Sequence, residues 1–445
     1  MKKLIALVLA ILMLLPLCAC ASEEAVTETA EAVETGKDET EKKTEEKTEE
    51  KKEVVYEKAD KPLQRADLDA IPIANSSMTT DQLRQICIDY IKLSVSFQWI
   101  PDRDMYVGTE EKGHGSFQTF TEGNLEGGIP YINTASGNLY RILQYYDSET
   151  GILDCEYLSK NPKIFGTACS GTAGWAWYRV VNSAEITWTH SMNVKHGFIP
   201  VGPYKYDHNF DIVWKSNPDG SRTTFYSWKD VCKENGKQVM FESYGMTLPA
   251  DCFSSNGHVR MSTEKPVIVR NEDGTIDGEK SYVLLAEQGL YNTAEYHRRT
   301  TSDGTEYLIR GNDGRAFTFA ELYGDGYVPH TFKEFLGTDP VEDGAVSIGV
   351  TDATISPLAI NAAKLTSNYP ISDIFTVIRD AEGNEVGKYT KHTTNHFVKS
   401  LEMKGATLPA SILSQYAAKG GHTIEIKVQI STGALLTAYS GQIVA

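Results

Sequence analysis

Phe165-Gly166-Thr167-Ala168-Cys169-Ser170-Gly171-Thr172-Ala173-Gly174-Trp175-Ala176-Trp177-Tyr178-Arg179-Val180-Val181 runs from small, flexible residues up to a cysteine and then turns apolar. From Cys169 onward, Ala173, Ala176 and Val180 recur at helical spacing, which puts the thiol at or near a helix N-terminus. Unpaired backbone N–H groups and the positive end of the helix dipole stabilise a thiolate there, so more of the cysteine is present as nucleophile. A cysteine in an apolar segment is otherwise a small buried hydrophobe. The Gly and Ser residues around Cys169, together with histidines downstream, favour the reactive reading.

The 445 residues allow two or three domains, and a hydrophobic content of 41% is enough for real cores. A formal net charge of −17 argues against a nucleic-acid partner, and much of that charge is crowded near the N-terminus. Met1-Lys2-Lys3 followed by the apolar run 4–17 has signal-peptide length and is too short for a membrane span. The run ends Leu17-Cys18-Ala19-Cys20, which looks like the lipobox of a bacterial lipoprotein. Residues 1–20 are then a lipoprotein signal, with Cys20 diacylated and first in the mature chain. Residues 21–62 are Glu, Thr, Lys and Ala with almost no large apolar side chains, so they read as a disordered tether. The expected location is extracellular, lipid-anchored to the cell membrane.

Seven cysteines are present, and Cys18 and Cys20 belong to the export segment. Cys87, Cys155, Cys169, Cys232 and Cys252 remain, an odd number that allows one free thiol and up to two disulfides; the sequence assigns no pair, and none need form.

Ordered sequence is expected from about Leu63. Leu83, Ile86, Cys87, Tyr90 and Ile91 follow candidate N-cap residues and predict an amphipathic helix over 80–95. Gly127-Gly128-Ile129-Pro130-Tyr131 reads as a turn into the core, and 139–146 as a short helix. After the Cys169 helix come short apolar and aromatic runs broken by turns. Asn217-Pro218-Asp219-Gly220 and Asn256-Gly257 are the strongest turn signals, and 258–261, 267–269 and 281–286 read as strands of an antiparallel sheet. The fold class expected for 63–340 is α+β. From 341 to 445 the texture changes to short alternating strands, at 346–350, 374–378, 423–430 and 435–444, with a hairpin loop at 380–384; this predicts a separate, immunoglobulin-like β-sandwich.

Acyl transfer by cysteine needs a thiolate, a base and donors for the oxyanion. Of the ten histidines, His258 follows a tight turn and opens a strand, which suits a base that must meet a helix terminus. His190 and His196 lack the spacing of a helical zinc motif or a Cys/His cluster, so no metal site and no cofactor are expected.

Cys169-Ser170-Gly171 with Trp175 downstream, Gly128-Ile129-Pro130-Tyr131 upstream, and Gly257-His258-Val259 in a strand resemble the NlpC-type cell-wall cysteine peptidases over roughly 127–288. That resemblance implies a papain-like fold, a helix-N-terminal cysteine packed on an antiparallel sheet. It implies Cys169 as nucleophile, His258 as base, and Glu287 or Gln288 as the polar residue that orients the imidazole, with Glu287 preferred. Tyr131, Ser170 and Trp175 would lie around the substrate. The interval from Tyr131 to Cys169 is longer than the family usually shows, and Ala168 stands where an acidic residue is common. The activity implied is a peptidase or amidase cleaving peptidoglycan stem peptides, with peptidoglycan or peptide and the membrane as partners. An inactive surface lipoprotein serving binding or adhesion is the reading from another class, and a related acyltransferase would use the same residues.

If Cys20 carries the anchor, Cys20→Ala is expected to shift the protein from the membrane to the soluble fraction with its near-UV circular dichroism unchanged. Retention of the variant in the membrane fraction excludes the lipobox.

Overall fold

The structure, a computed structural model, describes residues 59–108, 117–132, 137–206, 213–218, 222–289 and 297–445. The expected lipobox at Cys20 and most of the tether lie outside these residues. The described residues form one compact α+β unit.

Helix α1 (Thr80–Ser96) begins at a capping box: Thr79 accepts from the Gln82 N–H, and the Gln82 side chain accepts from the Thr79 N–H at 2.9 Å. Its apolar face, Leu83, Ile86, Cys87, Tyr90, Ile91 and Val95, is buried. It packs on helix α2 (Cys169–Trp177), every residue of which is buried. Between them the two helices cover one face of a six-stranded antiparallel sheet. Its strands are β1 (Ile199–Pro200), β2 (Cys252–Ser254), β3 (Val259–Ser262), β4 (Tyr282–Gln288), β5 (Gly311–Thr318) and β6 (Val328–Thr331), in the order β5-β4-β3-β2-β6-β1.

Alternation along these strands builds two cores. Cys252, Val259, Met261 and Ala286 join α1 and α2, while Phe253, Val283, Leu285 and Phe317 face a second cluster on the other side. That second cluster holds Trp228, Val231, Met240, Phe241 and Tyr244, from helices Trp228–Asn235 and Lys237–Gly245. Sequence texture predicts only strands and turns in this region. The Ser227 side chain nevertheless accepts from the Asp230 N–H, and Asp230 returns a bond to Ser227 N–H, a capping signal inside an aromatic run. The expected strand at 267–269 is reduced to an isolated bridge, Val267 to Tyr282, and Val267 and Ile268 are each 43% exposed. Val267 exchanges two backbone bonds with Tyr282, but Val269 bonds instead to the Ser281 hydroxyl and Asp277 N–H, so no regular strand extends from the bridge.

The turn at Gly128 feeds the site. Its φ is +71°, and a Cβ there would lie 2.4 Å from the Val95 carbonyl oxygen, so only glycine lets the chain pass α1 at this point. Beyond it, Pro130 to Ile132 run beside Thr167, with Thr167 N–H donating to Pro130 O and Ile132 N–H to Thr167 O, both at 2.9 Å.

The C-terminal part has its own core. A five-stranded sheet, in the order Thr354–Ile355, Leu435–Ile443, Thr423–Ile430, Ile371–Arg379, Glu385–His392, shares it with a three-stranded sheet of Val346–Ile348, Lys364–Ser367 and Ser400–Glu402. The strand and hairpin expectations for 423–430, 435–444 and 380–384 match what is seen. Helices Pro357–Ala362 and Ala410–Lys419 add an α component that the alternating texture does not predict.

This part is sealed to the rest by buried polar contacts. Arg141 and Asp373, both fully buried, pair at 3.1 Å, and Asp373 also accepts from His392 Nδ1 at 2.5 Å. The Tyr145 hydroxyl meets the other nitrogen of His392 at 3.0 Å, Asn138 Nδ2 donates to the Ser372 hydroxyl at 3.0 Å, and the Ser431 hydroxyl donates to Tyr178 O at 2.7 Å. His396 packs on Gly174 of α2, where a Cβ would lie 2.5 Å from its ring. Burial pushes the Asp373 carboxyl up, but the Arg141 charge and His392 outweigh it and bring the group to about 2. Removing one partner of a buried pair leaves the other uncompensated, so Asp373→Ala is expected to cost about 3–5 kcal/mol in urea unfolding of the whole chain. A loss below about 1 kcal/mol would show that the seam does not depend on this pair.

Candidate active site

Cys169 is the first residue of α2, and its N-cap, Ala168, contributes no side-chain bond. An acidic residue at 168 would bring a capping carboxylate beside the thiol; alanine leaves the first N–H groups of the helix to other acceptors. The Cys169 thiol donates to Gly257 O at 4.0 Å, across the gap to the sheet, and the backbone N–H groups of Ser170 and Val259 lie close enough to favour its thiolate. The residue is 4% exposed.

His258 closes the hairpin between β2 and β3, where Ser255 N–H donates to His258 O at 2.9 Å around Asn256-Gly257. Asn256 is held in turn by the Trp228 N–H, which donates to its Oδ1 at 2.9 Å. This pins the hairpin tip to the helix on the far side of the sheet. The His258 imidazole lies close enough to Cys169 to interact with the thiol, and its Nε2–H donates to Glu287 Oε2 at 2.6 Å, which leaves Nδ1 as the nitrogen available to the sulfur. The ring is about 20% exposed, against 4% for Cys169.

Glu287 is 1% exposed on β4. Besides His258, its Oε2 accepts from Arg260 Nε at 2.7 Å, and its Oε1 accepts from Asn312 Nδ2 at 2.7 Å. Gln288, the alternative, points elsewhere: its Nε2 donates to Ile129 O, and its Oε1 has no partner among the described residues. Strand alternation separates the two side chains, and the one that meets the histidine is Glu287.

Each charge in this row supports its neighbour. Burial raises the Cys169 thiol, but the His258 charge, the His258 hydrogen bond and the two N–H groups win, and the pKa falls below its ordinary 9.0. Burial lowers the His258 imidazole, while Tyr327, the Cys169 thiolate and Glu287 carry it well above 6.5. Burial raises the Glu287 carboxyl, but His258 and then Arg260 bring it down to about 2. Lowering the thiol and raising the imidazole both shift the pair toward thiolate and imidazolium.

The other expected residues fall differently. Tyr131 is half-buried and bridges to Thr167, two residues before the nucleophile. Ser170 and Trp175 are buried, at 3% and 2% exposed, much as Cys169 itself is at 4%. Trp175 sits in the second turn of α2, facing the core shared with α1. Ser170 serves through its backbone N–H. Of the options the cysteine count left open, the structure takes the one with no disulfide: Cys87, Cys155, Cys169, Cys232 and Cys252 are all free and buried. Burial drives the thiols of Cys155 and Cys232 up to about 12 and those of Cys87 and Cys252 well above 9.0, which leaves Cys169 alone among the five with a lowered value.

His196 pairs with Glu185 at 3.1 Å, and His190 is half-buried. Among the described residues no group of three or more His, Cys, Asp or Glu is placed to hold a metal ion. A cavity of about 460 Å³ lined by Asp60, Ile100, Glu126 and Tyr307 lies apart from the site, and none of Cys169, His258 or Glu287 borders it.

Sequence reasoning missed Arg260 and Asn312. Arg260 follows His258 by two on one strand and so shares its face; Asn312 is the register partner of Glu287. The first was within reach of period-two reasoning, whereas the second needed the strand pairing. No protein-family model matches the chain, and no characterised protein matches it in sequence.

With a folded-state value of about 2 against an ordinary 4.5, Glu287 contributes stability that is present above about pH 4.5 and lost as pH falls toward 2. Glu287→Gln should therefore be less stable than the parent at pH 7, with the gap narrowing across that window in urea titrations. A gap independent of pH would show that the carboxylate charge is not what matters.

Proposed function

We propose that this protein is a surface-anchored, papain-like cysteine hydrolase that cleaves peptide or amide bonds in peptidoglycan stem peptides. The single observation that carries the reading is the row Cys169, His258, Glu287, with the thiol at a helix N-terminus and the imidazole between sulfur and carboxylate. The order of parts supports the papain-like assignment: a helix bearing the cysteine, then an antiparallel sheet with the histidine at the start of one strand and the polar residue on the next. For the C-terminal part, the core shared by two sheets supports a β-sandwich with two added helices. The lipobox-like Leu17-Cys18-Ala19-Cys20 and the charged tether support a location beside the cell wall.

In this reading the Cys169 thiolate attacks the carbonyl carbon of the scissile bond, and a tetrahedral oxyanion forms. First-turn N–H groups of α2, which have no intrahelical partner, are the donors available to it. His258 passes its proton to the leaving amine as the C–N bond breaks, which leaves a thioester on Cys169. Water then attacks with His258 as base, and release of the acid restores the thiol. Glu287 holds the ring orientation and the imidazolium charge throughout.

Purified peptidoglycan incubated with the parent protein should yield cleaved stem peptides by mass spectrometry. Cys169→Ser and His258→Ala should each lower the rate by about 10⁴-fold or more, and Glu287→Ala by less than either. Iodoacetamide should label Cys169 ahead of the four other described cysteines. Full hydrolysis by Cys169→Ser would remove the assignment; a silent parent with an unreactive Cys169 would leave the binding lipoprotein.

A further inference from the structure

Glu287 carries a second cation that the hydrolytic steps above do not use. The Arg260 guanidinium lies between the rings of Phe317 and Tyr327, its central carbon 3.9 and 4.3 Å from their centroids, and is itself 8% exposed. A guanidinium stacked on two aromatic faces cannot swing away. Its Nε meets the same carboxylate oxygen, Oε2, that takes the His258 Nε2–H. The other oxygen is held by Asn312, whose own Oδ1 is fixed by the Arg315 N–H at 2.9 Å. The carboxylate therefore cannot rotate away from the arginine.

Resting on the nucleophile reading above, we propose that Arg260 is a positioning residue that sets the proton affinity of His258 through Glu287, so that the row works as Cys169–His258–Glu287–Arg260. A carboxylate given to the imidazole alone would bind its proton hard and keep it from the leaving amine. Sharing Oε2 with a fixed guanidinium spreads that negative charge, and the guanidinium also repels the imidazolium from two residues along the same strand. The charge balance then lets His258 hold its proton in the resting pair yet release it when the thiolate is consumed. The charged and titratable groups around the ring and carboxylate are Cys169 from α2, Tyr327 at the start of β6, Arg260 on β3, His297 before β5, and Arg315, whose guanidinium lies 4.6 Å from the Phe317 ring centroid. Of these cations only Arg260 bonds the carboxylate oxygen that the imidazole uses.

The test follows the His258 ring by NMR across pH in the full chain labelled with ¹⁵N-histidine, with His258→Gln assigning its signal. It also follows the pH dependence of Cys169 alkylation by peptide mass spectrometry. Arg260→Met should raise the pH at which His258 loses its proton by about one unit, and Arg260→Lys, which keeps the charge but not the planar contact, by about half of that. A merely structural arginine would lower the melting temperature in both variants and leave the His258 titration where it was, which overturns the proposal. If Arg260→Met does not fold, the lysine variant decides alone by the same shift. A parent Cys169 that alkylates no faster than the other four cysteines overturns the nucleophile reading and this one with it. A reactive parent Cys169 with an unmoved His258 titration in the folded variants overturns only the role of Arg260.

Discussion

The Glu287 carboxylate is the constraint on which the rest of the site depends. It is almost wholly buried and so cannot be tolerated as an isolated charge. It is held by His258 and Arg260 on one oxygen and Asn312 on the other. Three strands, β3, β4 and β5, must be in register for those donors to converge. The sheet thus fixes the position of the imidazole, and the imidazole fixes the charge state of the thiol. A slip of one residue in β4 would exchange Glu287 for Gln288 and leave both cations without a counter-charge.

The thiol enters this arrangement from the other layer. Helix α2 is buried on all sides, by α1, by the sheet and, at Gly174, by the His396 ring from the C-terminal part. The seam around Arg141 and Asp373 is polar and buried, a costly kind of contact that stabilises only when complete. The C-terminal part therefore bears on the position of Cys169 through packing on its helix, although no residue of that part touches the thiol in the hydrogen bonds and ion pairs of the site. Gly128 makes a comparable contribution at the other end, since its backbone lets the chain slip past α1 and bring Tyr131 beside Thr167.

Local signals carried α1, α2, the hairpin ahead of His258 and most of the C-terminal strands, because each rests on neighbours within one turn or one strand. Helices Trp228–Asn235 and Lys237–Gly245 escaped because their aromatic residues suit strands equally well, and burial against the sheet decides between the two. The run at 267–269 erred the other way, since after the Val267–Tyr282 bridge its backbone bonds to the Ser281 hydroxyl and Asp277 N–H and not to a continuing strand.

By itself the sequence determined that Cys169 would stand at a helix start, that His258 would follow a tight turn into a strand, and that Glu287 and Gln288 would alternate on a later strand. Each of these follows from spacing and turn chemistry over a few residues. Only the tertiary structure decided that Glu287 rather than Gln288 meets the imidazole, that Arg260 and Asn312 complete its shell, that Ser170 and Trp175 face inward, and that the cysteines remain free. Those outcomes depend on strand register and on packing between residues up to hundreds of positions apart, and no local pattern encodes a distance of that kind.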